Sequence, residues 1–321
     1  YYKEENESEL LWQAGVSSDS STGEIDWDKI FEEAKPAEGQ SESNTAIGIG
    51  ANGEPVNMDY WLSRKTDDGN GYMLVGEAYG SGGNHSSAYT QEIDESGEIK
   101  GVIPQYIKKD EDETFLEVVS LYYTFNGCIN LTTAPEIPPS VTDMSYTFLN
   151  CTNLTTAPEI PSSVIYMGDT FSGCTSLTIA PEIPSSVIDM SGTFSGCTNL
   201  ITAPKIPSNV TSLYYTFSEC TSLTIAPEIP SSVTNMMYTF FRCTSLTTAP
   251  EIPSNVTDMQ SAFRQCKNLK GEIKINARPE SYGGCFLDAA TSGETLTLVG
   301  SDEEVLTNLQ GTKGTDSKIE I

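Results

Sequence analysis

Between residues 118 and 269 the apolar positions return every 23 residues. Valine opens each copy (Val118, Val141, Val164, Val187, Val210, Val233, Val256), and Met or Leu stands three later (Leu121, Met144, Met167, Met190, Leu213, Met236, Met259). Phenylalanine follows four further on (Phe125, Phe148, Phe171, Phe194, Phe217, Phe240, Phe263), and then cysteine and leucine at steps of three. The cysteines are Cys128, Cys151, Cys174, Cys197, Cys220, Cys243 and Cys266; the leucines run from Leu131 to Leu269. Six copies of Ala-Pro-x-Ile-Pro begin at Ala134, Ala157, Ala180, Ala203, Ala226 and Ala249. A fixed period of this length predicts a solenoid, each repeat one coil stacked on its neighbours. The apolar columns then hardly vary because each side chain packs on its own equivalent above and below. One repeat alone cannot bury enough to fold, so the array needs neighbours and closed ends.

Each coil predicts two short extended pieces, Leu131–Ala134 and Val141–Met144 in the first copy. Pro135 and its equivalents lack the ladder donor, so they end the first piece or mark a bend. The segment around Tyr123–Cys128 is too short for more than one helical turn. The threonine column (Thr124, Thr147, Thr170, Thr193, Thr216, Thr239) becomes Ala262 in the last copy. It therefore reads as small and partly buried, its hydroxyls bonded to neighbouring backbone.

Outside the period the pattern changes. Residues 1–45 predict a helical lead-in, with helices over Lys3–Ala14 and Asp26–Ala34 and a linker at 36–45. Residues 46–117 predict a β-rich cap or small domain. Asn52-Gly53 signals a hairpin there, and an acidic turn over Lys108–Thr114 joins strands Val102–Ile107 and Phe115–Val119. Residues 118–269 are the solenoid. After Leu269 the repeat dissolves and 270–321 predict a C-terminal cap: a strand at Thr295–Val299, a helix near Ser301–Glu304 with Ser301 and Glu304 as a capping box, and a strand at Lys318–Ile321.

Charge narrows the partners. The 321 residues carry 17 Lys+Arg against 45 Asp+Glu, a formal net charge of −28. Residues 1–118 hold 26 acidic and 8 basic side chains, and residues 119–269 hold 10 and 4. Such a surface repels nucleic acid, which needs clustered Lys and Arg, and disfavours anionic lipid. Solubility or contact with a cationic partner remain. No stretch of 18 apolar residues exists, so the chain as given inserts into no membrane. It opens Tyr1-Tyr2-Lys3-Glu4-Glu5 without an apolar run, which reads as a processed start.

Seven of the eight cysteines occupy one place in successive coils; Cys285, 19 residues after Cys266, falls off the period. Stacked coils about 4.8 Å apart could bring neighbouring cysteines to bridging distance. Cysteine also serves as a small buried hydrophobe. A buried thiol ladder is the favoured reading and disulfides the alternative. Zinc is not expected, since Cys-x-x-Cys and Cys/His clusters are lacking, and no cofactor motif is present.

Leu, then Ile-Pro-x-x-Val-x-x-Met-x-x-Thr-Phe-x-x-Cys-x-x-Leu, resembles the 23-residue leucine-rich repeat of BspA-type bacterial surface proteins. It is also similar to the Val-Thr-Asn-Met-Ser repeat of secreted bacterial proteins. The likeness covers roughly residues 99–290 and departs from the family in its Ala-Pro-Glu step, where relatives keep a more regular strand. It implies a β-rich, right-handed leucine-rich-repeat solenoid with a mixed α/β N-terminal region. It further implies an extracellular, cell-surface protein that binds protein, matrix or host components, and it carries over no catalytic residue.

Catalysis has little else to stand on. The single histidine, His85, sits in Gly82-Gly83-Asn84-His85-Ser86, and Asp67-Asp68-Gly69-Asn70-Gly71 lacks proper calcium-loop spacing. Two columns are candidate binding surface. Glu136, Glu159, Glu182, Glu228 and Glu251 share one position, with Lys205 among them, and form a solvated acidic edge. Five before each cysteine stand Tyr123, Tyr146, Asp169, Gly192, Tyr215, Tyr238 and Ser261, adjoined by Tyr122 and Tyr214. This column varies, so the coil does not depend on its identity, and tyrosines are frequent in recognition patches. The expected function is adhesion or recognition of a protein or glycan ligand. The alternative is a structural subunit self-associating into a pilin-like filament, with a hydrophobic helix upstream of Tyr1.

Overall fold

A computed structural model describes residues 47–51, 53–56, 63–65, 70–74, 96–98, 102–108 and 115–321. The helices expected over Lys3–Ala14 and Asp26–Ala34, the acidic turn at 109–114, Asn52 and His85 lie outside the described residues, as do the first three residues of the Asp67–Gly71 loop.

The repeats form a leucine-rich-repeat solenoid in which residues 23 apart bridge in parallel. Number the coils by their phenylalanine, coil 1 holding Phe125. One ladder joins Thr133 to Thr156 and runs Ile179, Thr202, Ile225, Thr248. A second runs Ser120, Asp143, Tyr166, Asp189 and then Ser212, Asn235, Asp258, Ser281. These are the two extended pieces read from the sequence, reduced to single bridges because a proline closely follows the first and a turn begins directly after the second. The side chains of Val, Met/Leu, Phe, Cys and Leu point inward, all completely buried. Phenylalanine rings pile face to face through eight coils, centroids 5.4–5.8 Å apart.

The third side, too short for more than one helical turn, makes two successive β-turns in each coil. In coil 1 the Thr124 amide donates to Leu121 O and the Cys128 amide to Phe125 O. The amides of Leu121, Tyr123, Phe125 and Gly127 donate outward, to the carbonyls of Asp143, Ser145, Thr147 and Leu149 in the next coil. Alternate amides thus close the turns and join the coils, leaving none for a helix. The third residue of each turn must be left-handed, as in a type II turn. The first such column holds Tyr123 (φ 58°), Tyr146 (58°), Asp169 (51°), Gly192 (64°), Tyr215 (55°), Tyr238 (56°) and Ser261 (53°). The second holds Gly127, Asn150, Gly173, Gly196, Glu219, Arg242 and Gln265. The variable tyrosine column is therefore one on which the backbone does make a demand.

The threonine column is fully buried rather than partly so. Thr147 Oγ1 donates to Leu121 O at 2.9 Å and Met144 O at 2.7 Å, and Thr193 Oγ1 to Met167 O and Met190 O, both at 2.8 Å. All eight cysteines are buried, and those from Cys151 to Cys285 are free thiols. Six of them donate Sγ–H to the phenylalanine carbonyl one coil earlier, from Cys151 to Phe125 O at 3.1 Å through Cys266 to Phe240 O at 2.9 Å. The ladder is polar as well as space-filling. Cys285 proves to be in register after all: it takes the threonine column of an eighth coil, beside Phe286, which stacks on Phe263 at 5.4 Å. Ala289 fills the cysteine column of that coil and is buried.

A six-stranded sheet precedes coil 1: β1 (Ile47–Gly50), β2 (Pro55–Val56), β3 (Ser63–Lys65), β4 (Tyr72–Leu74), β5 (Pro104–Lys108) and β6 (Leu116–Ser120), in the order β2-β1-β5-β6-β4-β3. β1 and β2 are antiparallel about the expected hairpin, as are β5 and β6. β4 pairs parallel with β6, and its Leu74 O accepts Thr124 Oγ1 at 3.1 Å. At the other end β7 (Gly271–Lys274), β8 (Leu296–Val299) and β9 (Ile319–Glu320) form a three-stranded parallel sheet. Helix α1 (Glu303–Gln310) buries Leu306 and Leu309. Its cap is Asp302, whose carboxylate accepts from the Val305 amide, and not Ser301.

Candidate functional site

The two candidate columns lie on different edges of the coil. The glutamates stand between the two ladders, and the tyrosines on the turn after the second ladder. Nothing in the structure brings them together.

On the glutamate edge Glu136, Glu159, Glu182, Glu228 and Glu251 are all exposed, as is Lys205. Lys274 extends this column by one coil and binds Glu251 at 2.8 Å. Hydrogen bonds from Lys274, then from Asn276, hold the Glu251 carboxyl below its ordinary value. Glu228 and Glu251 border an open groove of about 670 Å³, walled by Pro227, Pro250 and Pro253 with Asn276 at one end.

The tyrosine edge is more ordered. Tyr123 and Tyr146 stack with centroids 4.5 Å apart and planes within 3°; Tyr215 and Tyr238 stack at 4.6 Å and 14°. Tyr122 meets both rings of the first pair edge-on at 4.7 and 5.5 Å, and Tyr214 meets Tyr215 edge-on at 4.6 Å. Local backbone bonds set the approach. Ser120 Oγ and Ser212 Oγ accept the Tyr122 and Tyr214 amides, and Asp143, Asp189, Asn235 and Asp258 do the same for their coils. Coil 3 departs from this, with Tyr166 in place of the capping side chain and exposed.

A non-glycine residue in the left-handed region is uncommon and costs on the order of 1 kcal/mol. Four tyrosines accept that cost in a column where Gly192 shows glycine fits. Burial first, then the charges of Asp169, Tyr122 and Asp189, push the Tyr146 hydroxyl above its ordinary value. Burial and the neighbouring Asp189 likewise raise the Asp169 carboxyl, against a hydrogen bond from Ser172 that lowers it. The edge is thus aromatic, acidic and held in place by backbone bonds.

Sequence reasoning missed three features here. Ser120–Phe125 and Ser212–Phe217 are the same hexapeptide, Ser-Leu-Tyr-Tyr-Thr-Phe, four coils apart, so both stacks start from one local sequence. Phe241 in the adjoining column meets Tyr238 edge-on at 5.5 Å and carries the Arg242 guanidinium 4.9 Å above its ring. Arg242 also pairs with Glu219 at 3.0 Å. Only the repeated hexapeptide could have been read without coordinates. Among the described residues no group of three His, Cys, Asp or Glu is placed to hold a metal, and no helix is long and apolar enough to cross a membrane.

The family model of the BspA type leucine rich repeat region matches in six copies, over residues 121–224 and 190–290. No curated protein matches. Among solved structures the chain is similar to a leucine-rich repeat protein from Bacteroides ovatus, at 18% identity and a TM-score of 0.45, covering 81% of this chain and 76% of that one. It is similar also to the leucine-rich repeat protein of T. pallidum, at 17% identity and TM-score 0.44, over 81% and 98%. A leucine rich cell surface protein from Faecalibacterium prausnitzii gives 20% identity and TM-score 0.43, over 76% of each chain.

Proposed function

The chain belongs to the BspA-type leucine-rich-repeat family, and from that premise we propose that it is a non-catalytic recognition module, displayed extracellularly on a bacterial surface, that adheres to a protein or glycan ligand through its tyrosine edge. The observation that carries this is the pair of tyrosine stacks held at φ of 55–58°. Ring stacking offsets part of the backbone cost, whereas glycine at the same position would remove that cost outright. Hot spots in recognition surfaces are rich in tyrosine, whose broad ring loses little rotamer freedom on binding. The acidic groove at Glu228 and Glu251 is secondary, because one of its two carboxylates already has a lysine partner.

In this reading the solenoid winds right-handed in 23-residue coils. Residues 46–117 and 270–321 are its caps, and 1–45 a lead-in. The bonds from Thr124 to Leu74 O and from the Thr132 amide to Gly97 O support the first cap, since both close coil 1 as a preceding coil would. The test is a protein and glycan array probed with the wild type and with Tyr214→Ser/Tyr215→Ser/Tyr238→Ser. The wild type should retain a ligand that the triple variant loses by about tenfold or more. Undiminished binding by a folded triple variant excludes the tyrosine edge.

A further inference from the structure

This inference rests on reading the tyrosine edge as a recognition surface, and names what one part of it takes. Down the column the residues run Tyr123, Tyr146, Asp169, Gly192, Tyr215, Tyr238. Tyr123 covers one face of Tyr146, and Tyr238 covers one face of Tyr215. The opposite faces therefore look toward each other along the stack, across coils 3 and 4. In this column those two coils carry no ring. Coil 3 offers Asp169, and coil 4 offers Gly192, onto which the Asp169 carboxylate leans: a Cβ built on Gly192 would collide with Asp169 Oδ1. Two rungs of the aromatic ladder lack a ring: a carboxylate stands at the first, and the second lies between that carboxylate and a tyrosine face.

At about 4.8 Å per coil, the Gly192 layer into which the Asp169 carboxylate leans stands about 4.8 Å from that of Tyr215, which admits one planar group lying beside the carboxylate and against the ring. Guanidinium is planar, stacks on aromatic faces within about 6 Å and forks onto carboxylates. The chain already builds that combination nearby, where Arg242 lies on Phe241 and pairs with Glu219. An ammonium is a more strongly hydrated point charge and fills a flat slot less well. A net charge of −28 opposes docking of a second copy and favours a cationic partner. We propose that the slot between Asp169 and Tyr215 receives an arginine side chain from an extended, basic segment of a partner protein.

The test is an NMR titration of the whole chain at about 0.15 M salt, where diffuse attraction is screened beyond about 8 Å. The probes are Gly/Ser peptides carrying a single arginine, lysine or citrulline. The arginine peptide should bind best and shift the amides of coils 3 to 5. Asp169→Asn should weaken it about tenfold. Gly192→Tyr completes the ladder and should abolish it; the backbone there (φ 64°) is close to that of the four tyrosines, so the variant fits the fold once the Asp169 carboxylate swings off the new Cβ. Glu228→Gln, on the other edge, should change nothing. Equal binding of the three peptides, or equal weakening by Asp169→Asn and Glu228→Gln, overturns the proposal. So does a dimer, seen by sedimentation, that Gly192→Tyr dissociates. If Tyr214→Ser/Tyr215→Ser/Tyr238→Ser loses an array ligand that Asp169→Asn retains, the slot fails while the recognition surface stands.

Discussion

Raising the pH should destabilise this protein steeply between about pH 9 and 10, because its buried thiols resist ionisation where they stand. Cys151, Cys174, Cys197, Cys220, Cys243, Cys266 and Cys285 are buried, and burial pushes each thiol above its ordinary value of 9.0, that of Cys197 to about 12. In the unfolded chain the same thiols release their protons near the ordinary value. Above it the unfolded state binds fewer protons than the folded one, so stability falls as pH rises. The stabilisation is intact below pH 9 and declines until the folded thiols themselves titrate. One such group loses about 1.4 kcal/mol by one unit above its unfolded value, and seven lose about 10 kcal/mol. Whole domains of ordinary stability hold about 5–15 kcal/mol. Tyr106, Tyr146 and Tyr215 shift in the same direction, but from 10.0, and so act a unit later. Urea midpoints measured under reducing conditions at pH 8, 9, 9.5 and 10 should hold steady and then collapse, recovering on return to pH 8. A midpoint flat through pH 10 would refute the reasoning, since it requires thiols that ionise in place or are already paired.

Two substitutions probe the columns separately. Thr193→Val keeps volume and gains hydrophobicity, yet it removes a buried hydroxyl that bonds two carbonyls. It should destabilise by about 1–2 kcal/mol in urea melts, and a neutral result would mean that size alone selects threonine. Gly196→Ala meets only ordinary contact, the nearest atoms being Gly173 Cα and N at 3.6 Å, so its cost isolates the left-handed backbone at φ 71°. A loss of about 0.5–1 kcal/mol is expected, and a gain would show that the second turn tolerates side chains freely.

The solenoid was legible because a period of 23 repeats its own evidence: seven copies of Val, Phe, Cys and Leu leave little freedom about which side chains share the interior. What lay hidden depends on single hydrogen bonds that hydropathy does not record. The turns at Leu121–Thr124 and Phe125–Cys128 look like a helical turn in composition, and only the outward amides of Tyr123 and Gly127 decide against it. Asp302 and Ser301 are both good caps, so adjacent residues of equal propensity could not be separated. Coil 8 escaped notice because it conserves Phe286 alone while Cys285 and Ala289 exchange the sizes of their columns. Packing tolerates that exchange; pattern matching does not.

The same turns explain why the site was half visible. Variation among Tyr123, Asp169, Gly192 and Ser261 suggested a position to which the coil is indifferent. Yet the backbone there is fixed at φ of 51–64° whatever side chain is attached. No side chain but glycine escapes the strain, so the coil discriminates only weakly among the others. Such a column separates scaffold from surface: the inner ladder fixes spacing and direction, and the outer residue can change from coil to coil without moving its neighbours. Tyrosine at four coils and its absence from the two between them are then choices that the fold does not impose. That contrast, in a ladder whose every rung is otherwise equivalent, is what gives the interruption at Asp169 and Gly192 its functional weight.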